Sequence, residues 1–158
     1  MLDNTVYEIL SQSIQLGDTY IITNSEPGWV EYSAKRFYPK TDTLLNNIKI
    51  ISARGKFEKR YPGDNKQWKI QAFLEMLNIV DTNLVTNLIC LGDSTIEMEA
   101  AHILASKFTQ AFIKTVKFKE IPKPNELNKQ LKIVIEQFNK IYNTVKNLTI
   151  RVEKKWKY

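Results

Sequence analysis

The chain has 158 residues, with 23 Lys and Arg, 17 Asp and Glu, a net charge of +6 and 43% hydrophobic residues. This length and composition predict one globular domain with a core of its own, and they exclude a disordered chain. The single Cys90 and the single His102 exclude an internal disulfide and a Cys/His zinc site. The apolar runs fall far short of the roughly 20 residues of a membrane span. The N-terminus also lacks a signal-peptide pattern, so we expect a soluble, intracellular protein.

The charge is unevenly distributed along the chain. Residues 1–105 carry 10 basic and 13 acidic residues, whereas residues 106–158 carry 13 basic and 4 acidic residues, a net charge of +9. The C-terminal third is therefore the candidate surface for an acidic protein partner, and solvated helix faces are the alternative explanation of its charge. Nucleic acid is not expected, because 19 of the 23 basic residues are Lys and no aromatic and glycine pattern of an RNA-binding sheet accompanies them.

Hydrophobic periodicity predicts helices and strands in alternation. A helix through residues 2–16 ends at Gly17, and the strand "TYIIT" follows. The next helix is predicted within "SEPGWVEYSAKRFYP", with Ser25 as its N-cap and Pro39 closing it. The remaining elements are, in order, the strand "IKIISA", the helix "NKQWKIQAFLEMLNI", the strand "TNLICLG", a helix over residues 95–108, the strand "IKTVKF", a helix from Glu126 to about Tyr142, and a final strand in "NLTIRVEKK".

This alternation is typical of an α/β protein with a Rossmann-like, three-layer parallel sheet. In such sheets, ligands bind outside the carboxyl ends of the strands. The residues at those ends are therefore the candidates for a functional site. They are Thr23 and Asn24, Ser52 to Arg54, Gly92 to Glu97, and Phe118 to Glu120.

Ser94, in "LGDS", is the first candidate, since a strand followed by GDS resembles the opening block of GDSL-type esterases. A serine nucleophile needs a base, usually a histidine near the C-terminus. The only histidine is His102, eight residues later in the same predicted helix. We therefore set the esterase interpretation aside.

Asp93 and Glu97 are the second candidates. Four residues apart, in the turn and in the first helical turn after it, both can face the mouth of the sheet. One or two carboxylates, with waters and a substrate phosphate, are the ligands that Mg²⁺ uses. The alternative is that these acids only stabilise the helix N-terminus.

A strand ending in Thr, then a Lys, then a strand followed by Gly-Asp-x-x-x-Glu resembles motifs II, III and IV of the haloacid dehalogenase-like (HAD-like) superfamily. The stretches "YIITNSEPGWVEYSAKRFYP", "IISAR", "QWKIQAF", "LICLGDSTIEMEAA", "KTVKF" and "LTIRVEKK" are similar to uncharacterised HAD-like proteins of unicellular eukaryotes. The resemblance spans nearly the whole chain.

The resemblance implies phosphate binding by Thr23, Asn24 and Lys69, with Lys66 as the substitute for Lys69. It also implies Mg²⁺ coordination by Asp93, with Glu97 in support. Trp29, Trp68 and Arg54 are interpreted as packing or loop-anchoring residues.

The catalytic first motif of HAD phosphatases, Asp-x-Asp followed by Thr or Ser, is missing. Its first Asp is the nucleophile, and the sequence contains no Asp-x-Asp anywhere. The motif also belongs to the central strand, which the resemblance places between the strands ending at Thr23 and Gly92. Another polypeptide, a missing N-terminal segment or the chain's own tail would have to supply that strand.

We therefore expect a single HAD-like domain over residues 1–158, incomplete at its N-terminus, with a basic strand and tail at 147–158. The expected function is that of a pseudoenzyme, a non-catalytic structural or binding subunit of a larger assembly. The alternative is the C-terminal part of a Mg²⁺-dependent phosphoric monoester hydrolase whose Asp-x-Asp lies on a missing segment or another chain.

Overall fold

A computed structural model describes residues 1–152 of the chain, which forms two compact units, Met1–Phe73 and Leu74–Tyr158. The single domain predicted over residues 1–158 stays a prediction. Residues 153–158 of the predicted basic tail lie outside the described residues.

The first unit combines five helices with two strands. In chain order its elements are α1 (Leu2–Leu16), β1 (Tyr20–Thr23), α2 (Trp29–Phe37), α3 (Pro39–Asp42), a 3-10 turn (Leu45–Asn47), β2 (Lys49–Ser52), α4 (Ala53–Phe57) and α5 (Asn65–Leu74). Strands β1 and β2 pair in parallel, from Tyr20 opposite Lys49 to Thr23 opposite Ser52. Both strands therefore end at the same edge of a two-stranded sheet.

One predicted boundary of the second helix is wrong and the other is confirmed. Ser25 is not the N-cap of α2, which begins after Gly28, a residue in the left-handed region with φ of 83°. Pro39 closes α2 as predicted, since that helix ends at Phe37, and Pro39 also begins α3, because its fixed φ suits the first helical position. Trp29, interpreted as a packing residue, is 50% exposed at the start of α2.

Asp3 attaches α1 to α3. Its carboxylate accepts hydrogen bonds from the main-chain N–H groups of Lys40 and Thr41, at 3.0 and 2.9 Å, and from the Thr41 hydroxyl at 2.7 Å. Burial raises the pKa of Asp3, but these hydrogen bonds and the Lys40 charge outweigh it, so the net shift lowers that pKa. The acid in "MLDNTVYE" thus has a structural role at a helix N-terminus.

The second unit contains a three-stranded parallel sheet and its helices. Its elements are a 3-10 turn (Glu75–Asn78), β3 (Asn87–Gly92), α6 (Thr95–Ala105), β4 (Phe112–Phe118), α7 (Pro124–Asn143) and β5 (Leu148–Val152). The strand order is β3-β4-β5. The predicted C-terminal strand is confirmed, and it lies beside β4 at the edge away from β3.

An α/β architecture with parallel strands is confirmed: the described residues form one sheet of two strands and another of three. The finer prediction, a Rossmann-like, three-layer HAD-like sheet that lacks its central strand, stays a prediction. Because β5 pairs with β4, Leu148–Val152 does not lie beside β3. Of the three predicted sources of a central strand, the chain's own tail is therefore excluded for these residues.

Lys114, in the middle of β4, is the largest fully buried side chain of the chain's described part. Its Nζ donates to the main-chain carbonyl of Tyr142 at 2.7 Å, and Asn87 Nδ2 donates to the same carbonyl at 2.9 Å. Tyr142 lies in the last turn of α7, where carbonyl groups lack helical partners. The lysine therefore caps α7, while burial lowers its pKa.

We predict that Lys114 makes the free energy of unfolding depend on pH. Its pKa is lower in the folded than in the unfolded state, so the unfolded state binds more protons between the two values. Stability should therefore rise with pH between the lowered folded pKa and the ordinary lysine pKa. Urea unfolding over this alkaline range should show the rise in the parent and not in Lys114→Met. The exposed Lys107→Met is the control and should keep the rise; an equal rise in Lys114→Met would contradict the prediction.

Candidate functional site

The first half of the predicted site lies at the carboxyl ends of β1 and β2. Thr23 and Ser52 are the last residues of these strands and lie opposite each other. Beside them is a cavity of about 120 Å³, whose lining includes Glu26, Pro27 and Glu31. This is the position at which parallel sheets place their ligands.

Thr23 and Asn24 are both engaged in the local turn. The Thr23 hydroxyl accepts a hydrogen bond from the Ser25 N–H at 3.1 Å. Asn24 Nδ2 donates to the carbonyl of Asn65, at the start of α5, at 3.0 Å. Asn24 Oδ1 is buried and has no hydrogen-bond partner in the described part of the chain. Thr23 therefore holds the turn, and Asn24 joins it to α5.

The charges around this cavity do not favour a phosphate. Two carboxylates, Glu26 and Glu31, line it. Arg54 is engaged by acidic groups, because it pairs with Glu26 at 3.1 Å and with Glu58 at 3.0 Å. The hydrogen bond to Glu58 and the two acidic charges raise the pKa of Arg54. The interpretation of Arg54 as a loop anchor agrees with these contacts.

Ser52, one of the strand-end candidates, caps a helix at this edge, a role that the sequence interpretation did not assign to it. Its hydroxyl donates to the Ser25 carbonyl at 2.7 Å and accepts from the Gly55 N–H at 3.0 Å, so it caps α4. A Cβ on Gly55 would lie 2.4 Å from Cγ of Pro27, so only glycine fits there. Serine is a common helix N-cap, so a serine at the end of an apolar strand is a sequence signal for a helix that starts there.

Lys69 extends from α5 to the open edge of β1. The Lys49 N–H donates to the Thr19 carbonyl, so the main-chain groups of Thr19 face β2. Because successive residues of a strand direct their N–H and C=O groups to opposite sides, those of Ile22 face away from β2. Lys69 Nζ, on a side chain only 5% exposed, donates to that Ile22 carbonyl at 2.9 Å. The structure thus brings Lys69 to the end of β1, next to Thr23, and gives it a main-chain carbonyl as partner.

The second half of the predicted site is the turn between β3 and α6. Ser94 is the N-cap of α6: its hydroxyl accepts from the Ile96 N–H at 3.0 Å. Glu97 Oε2 accepts from the Ser94 N–H at 3.0 Å, which completes a capping box. The Glu97 side chain also lies against Gly92, where an added Cβ would be 3.0 Å from its Cβ. Glu97 is therefore folded back onto its own helix.

Asp93 holds the loop after β4. Its Oδ2 accepts a hydrogen bond from the Ile121 N–H at 3.3 Å. Ile121 is 91% exposed and has a φ of 46°, a left-handed conformation that is unfavourable for a β-branched residue. The Asp93 carboxylate thus supports a strained loop at the carboxyl end of the sheet.

These contacts limit the predicted metal site. No group of three or more His, Cys, Asp or Glu side chains in residues 1–152 is arranged to hold a metal ion. Of the predicted pair, Glu97 is used as a helix cap, and Asp93 is engaged through one oxygen. The two residues do not form a ready pair of ligands, and Mg²⁺ binding at Asp93 stays a prediction.

Comparisons with known proteins identify no relative. A scan against protein-family models, a search of curated proteins and a search of solved structures each returned no match to this chain. Within residues 1–152, no helix has the length and apolar character needed to cross a membrane.

We predict that Lys69→Met lowers the free energy of unfolding by about 1–3 kcal/mol, because the Ile22 carbonyl loses its donor. Lys59→Met, at an exposed position ten residues earlier, is the control and should change it by less than about 0.5 kcal/mol. Urea unfolding of the three proteins makes the comparison. If Lys69→Met is as stable as the parent, the structural role of Lys69 is wrong.

Proposed function

We propose that this chain is a non-catalytic binding or structural subunit of a larger assembly, built on a HAD-like domain that lacks the aspartate nucleophile. Its partner adds a β-strand to the outer edge of β3. The partner strand comes from another polypeptide or from a segment that precedes this sequence.

The observation that carries the proposal is the unpaired edge of β3. The Phe112 N–H donates to the Thr86 carbonyl, so the main-chain groups of Thr86 face β4. Every second residue of a strand faces the same side, so the even-numbered residues of β3 also bond to β4. The main-chain groups of Asn87, Ile89 and Leu91 are directed to the other edge. In the described residues, β3 has only β4 as a strand neighbour.

An unpaired edge of this kind is a template for another strand. Residues Asn87, Ile89 and Leu91 are half-buried, and main-chain polar groups removed from water need hydrogen-bond partners. Addition of a strand to an exposed sheet edge is a common mode of recognition, in which the main chain supplies the affinity. No inward charge or proline protects these three positions, although such features commonly protect natural edges.

The hydrogen bonds of the predicted site support a non-catalytic role. The Thr23 hydroxyl, the Lys69 ammonium and the Glu97 carboxylate each have a partner within their own unit. The full sequence also lacks the Asp-x-Asp from which a HAD phosphatase takes its nucleophile. Loss of a nucleophile removes most of an enzyme's rate enhancement.

The alternative function is that of a Mg²⁺-dependent phosphatase completed by Asp-x-Asp from a missing segment or another chain. One observation favours it: Thr23 and Asp93 lie at or just beyond the carboxyl ends of β1 and β3, where such an enzyme needs them. An in-frame strand ending in Asp-x-Asp upstream of Met1 would establish this alternative over the proposal.

We predict that the chain alone, with Mg²⁺, releases no phosphate from an aryl phosphate monoester beyond the buffer rate. Asp93→Asn and the control Glu99→Gln, a neighbouring carboxylate on α6, should give the same result as the parent. Phosphate release that Asp93→Asn abolishes and Glu99→Gln retains would contradict a non-catalytic function.

We also predict a pattern of amide hydrogen exchange along β3. In the free chain, the Ile89 and Leu91 amides should exchange faster than those of Leu88 and Cys90, whose N–H groups are directed to β4. A synthetic peptide of alternating valine and threonine, flanked by lysines, should slow exchange at Ile89 and Leu91 when it adds as a strand.

Two variants at one position provide the control for this experiment. Ile89→Pro removes the donor on the open edge and should abolish protection by the peptide, whereas Ile89→Val keeps the donor and should retain it. If Ile89 and Leu91 are already as protected as Leu88 and Cys90 in the free chain, the edge is occupied and the proposal is wrong.

A further inference from the structure

A long apolar groove lies between α7 and β5 in the second unit. It has a volume of about 480 Å³. Most of its lining consists of apolar side chains of the helix and the strand, namely Ile133, Val134, Ile141, Leu148, Ile150 and Val152. Ile133 is 53% exposed, so the groove opens to solvent along the helix. Exposed apolar surface of this kind commonly marks an interaction site.

The shape of the groove suits a helix. Ile133, Gln137, Lys140 and Thr144 line one side at spacings of four, three and four residues, which forms a continuous ridge along α7. At a rise of about 1.5 Å per residue, this ridge is roughly 16 Å long, the length of three helical turns. Leu148, Ile150 and Val152 alternate along β5 and form the other side. A second helix beside α7 would cover the apolar face of this edge strand.

The charges of the groove select an acidic occupant. Lys140 and Lys146 lie at its rim, and none of its described lining residues is acidic. The surrounding chain is also basic, since residues 106–158 carry a net charge of +9. Complementary charges steer partners of opposite sign to such a surface.

We infer that the groove between α7 and β5 binds an amphipathic helix of a partner protein, with apolar residues along one face and acidic residues beside them. This site is separate from the open edge of β3. The helix places its apolar face on Ile133, Leu148 and Ile150, and its carboxylates pair with Lys140 and Lys146.

The test uses the full chain and a designed helical peptide of about 18 residues, or five turns, with one leucine stripe flanked by glutamates. A second peptide has lysines in place of the glutamates. NMR titration of the ¹⁵N-labelled protein should show shifts at residues 133–152 with the acidic peptide and much weaker binding of the basic one. Added salt should weaken the acidic peptide's binding, because the rim charges are exposed.

Two variants locate the binding surface. Ile133→Glu should lower the affinity for the acidic peptide by at least about tenfold, since it puts a carboxylate on the apolar ridge. Leu84→Glu adds the same charge at a position that is 76% exposed, outside the groove lining and far in sequence from Lys140 and Lys146, and should leave affinity unchanged. Both substituted side chains are exposed in the parent, and unfolding curves should match it.

Several outcomes would overturn the inference. These are absence of binding, equal binding of the two peptides, shifts outside residues 133–152, and equal affinity of Ile133→Glu and the parent. A concentration-dependent dimer that Ile133→Glu abolishes would show that a second copy of the chain occupies the groove, and would also overturn it. Each of these results leaves the exchange pattern of β3 unaffected, so failure here is distinct from failure of the proposed function.

Discussion

In a central parallel strand, every second residue forms main-chain hydrogen bonds with one neighbouring strand, and the residues between them bond to the other neighbour. In β3, within residues 1–152, only one of these two series of residues has a strand partner. Its even-numbered residues are paired with β4, whereas Asn87, Ile89 and Leu91 have no strand partner in the described residues. The edge strand β5 cannot supply this pairing, since it is bound to the opposite side of β4. The proposed role in an assembly follows from this hydrogen-bond deficit, because the groups that need partners are on the main chain and do not depend on any catalytic side chain.

Buried lysines stabilise both units in the same way. Lys69, Lys114 and Lys117 are at most 7% exposed, and their ammonium groups donate to the carbonyls of Ile22, Tyr142 and Phe118. A buried charge needs hydrogen-bond partners, and carbonyls at a strand edge or helix end are often without them. A lysine in a strand or helix of this protein is therefore not by itself evidence of an anion site.

The sequence predicts the strands well and the polar roles less well. All five strands were located, because short apolar runs bounded by Gly, Asn or Thr are distinctive. The start of α2 was misplaced because it depends on Gly28 adopting a positive φ, which tertiary contacts decide. Glu97 completes a capping box with Ser94, whose spacing is a local signal present in the sequence, and its predicted support of Mg²⁺ stays a prediction. The partner of Lys69 lies 47 residues away in sequence, and periodicity cannot predict such a contact.

Asp93 has a consequence for any cation that binds at this end of the sheet. Its Oδ2 accepts the Ile121 N–H, and this hydrogen bond supports Ile121 in a left-handed conformation. A cation that takes the same oxygen competes with the loop, so its binding energy is reduced by the energy of the lost contact. By linkage, the loop conformation and cation affinity at Asp93 oppose each other to the same extent. The loop after β4 thus competes with any cation for the carboxylate that is predicted to be a metal ligand.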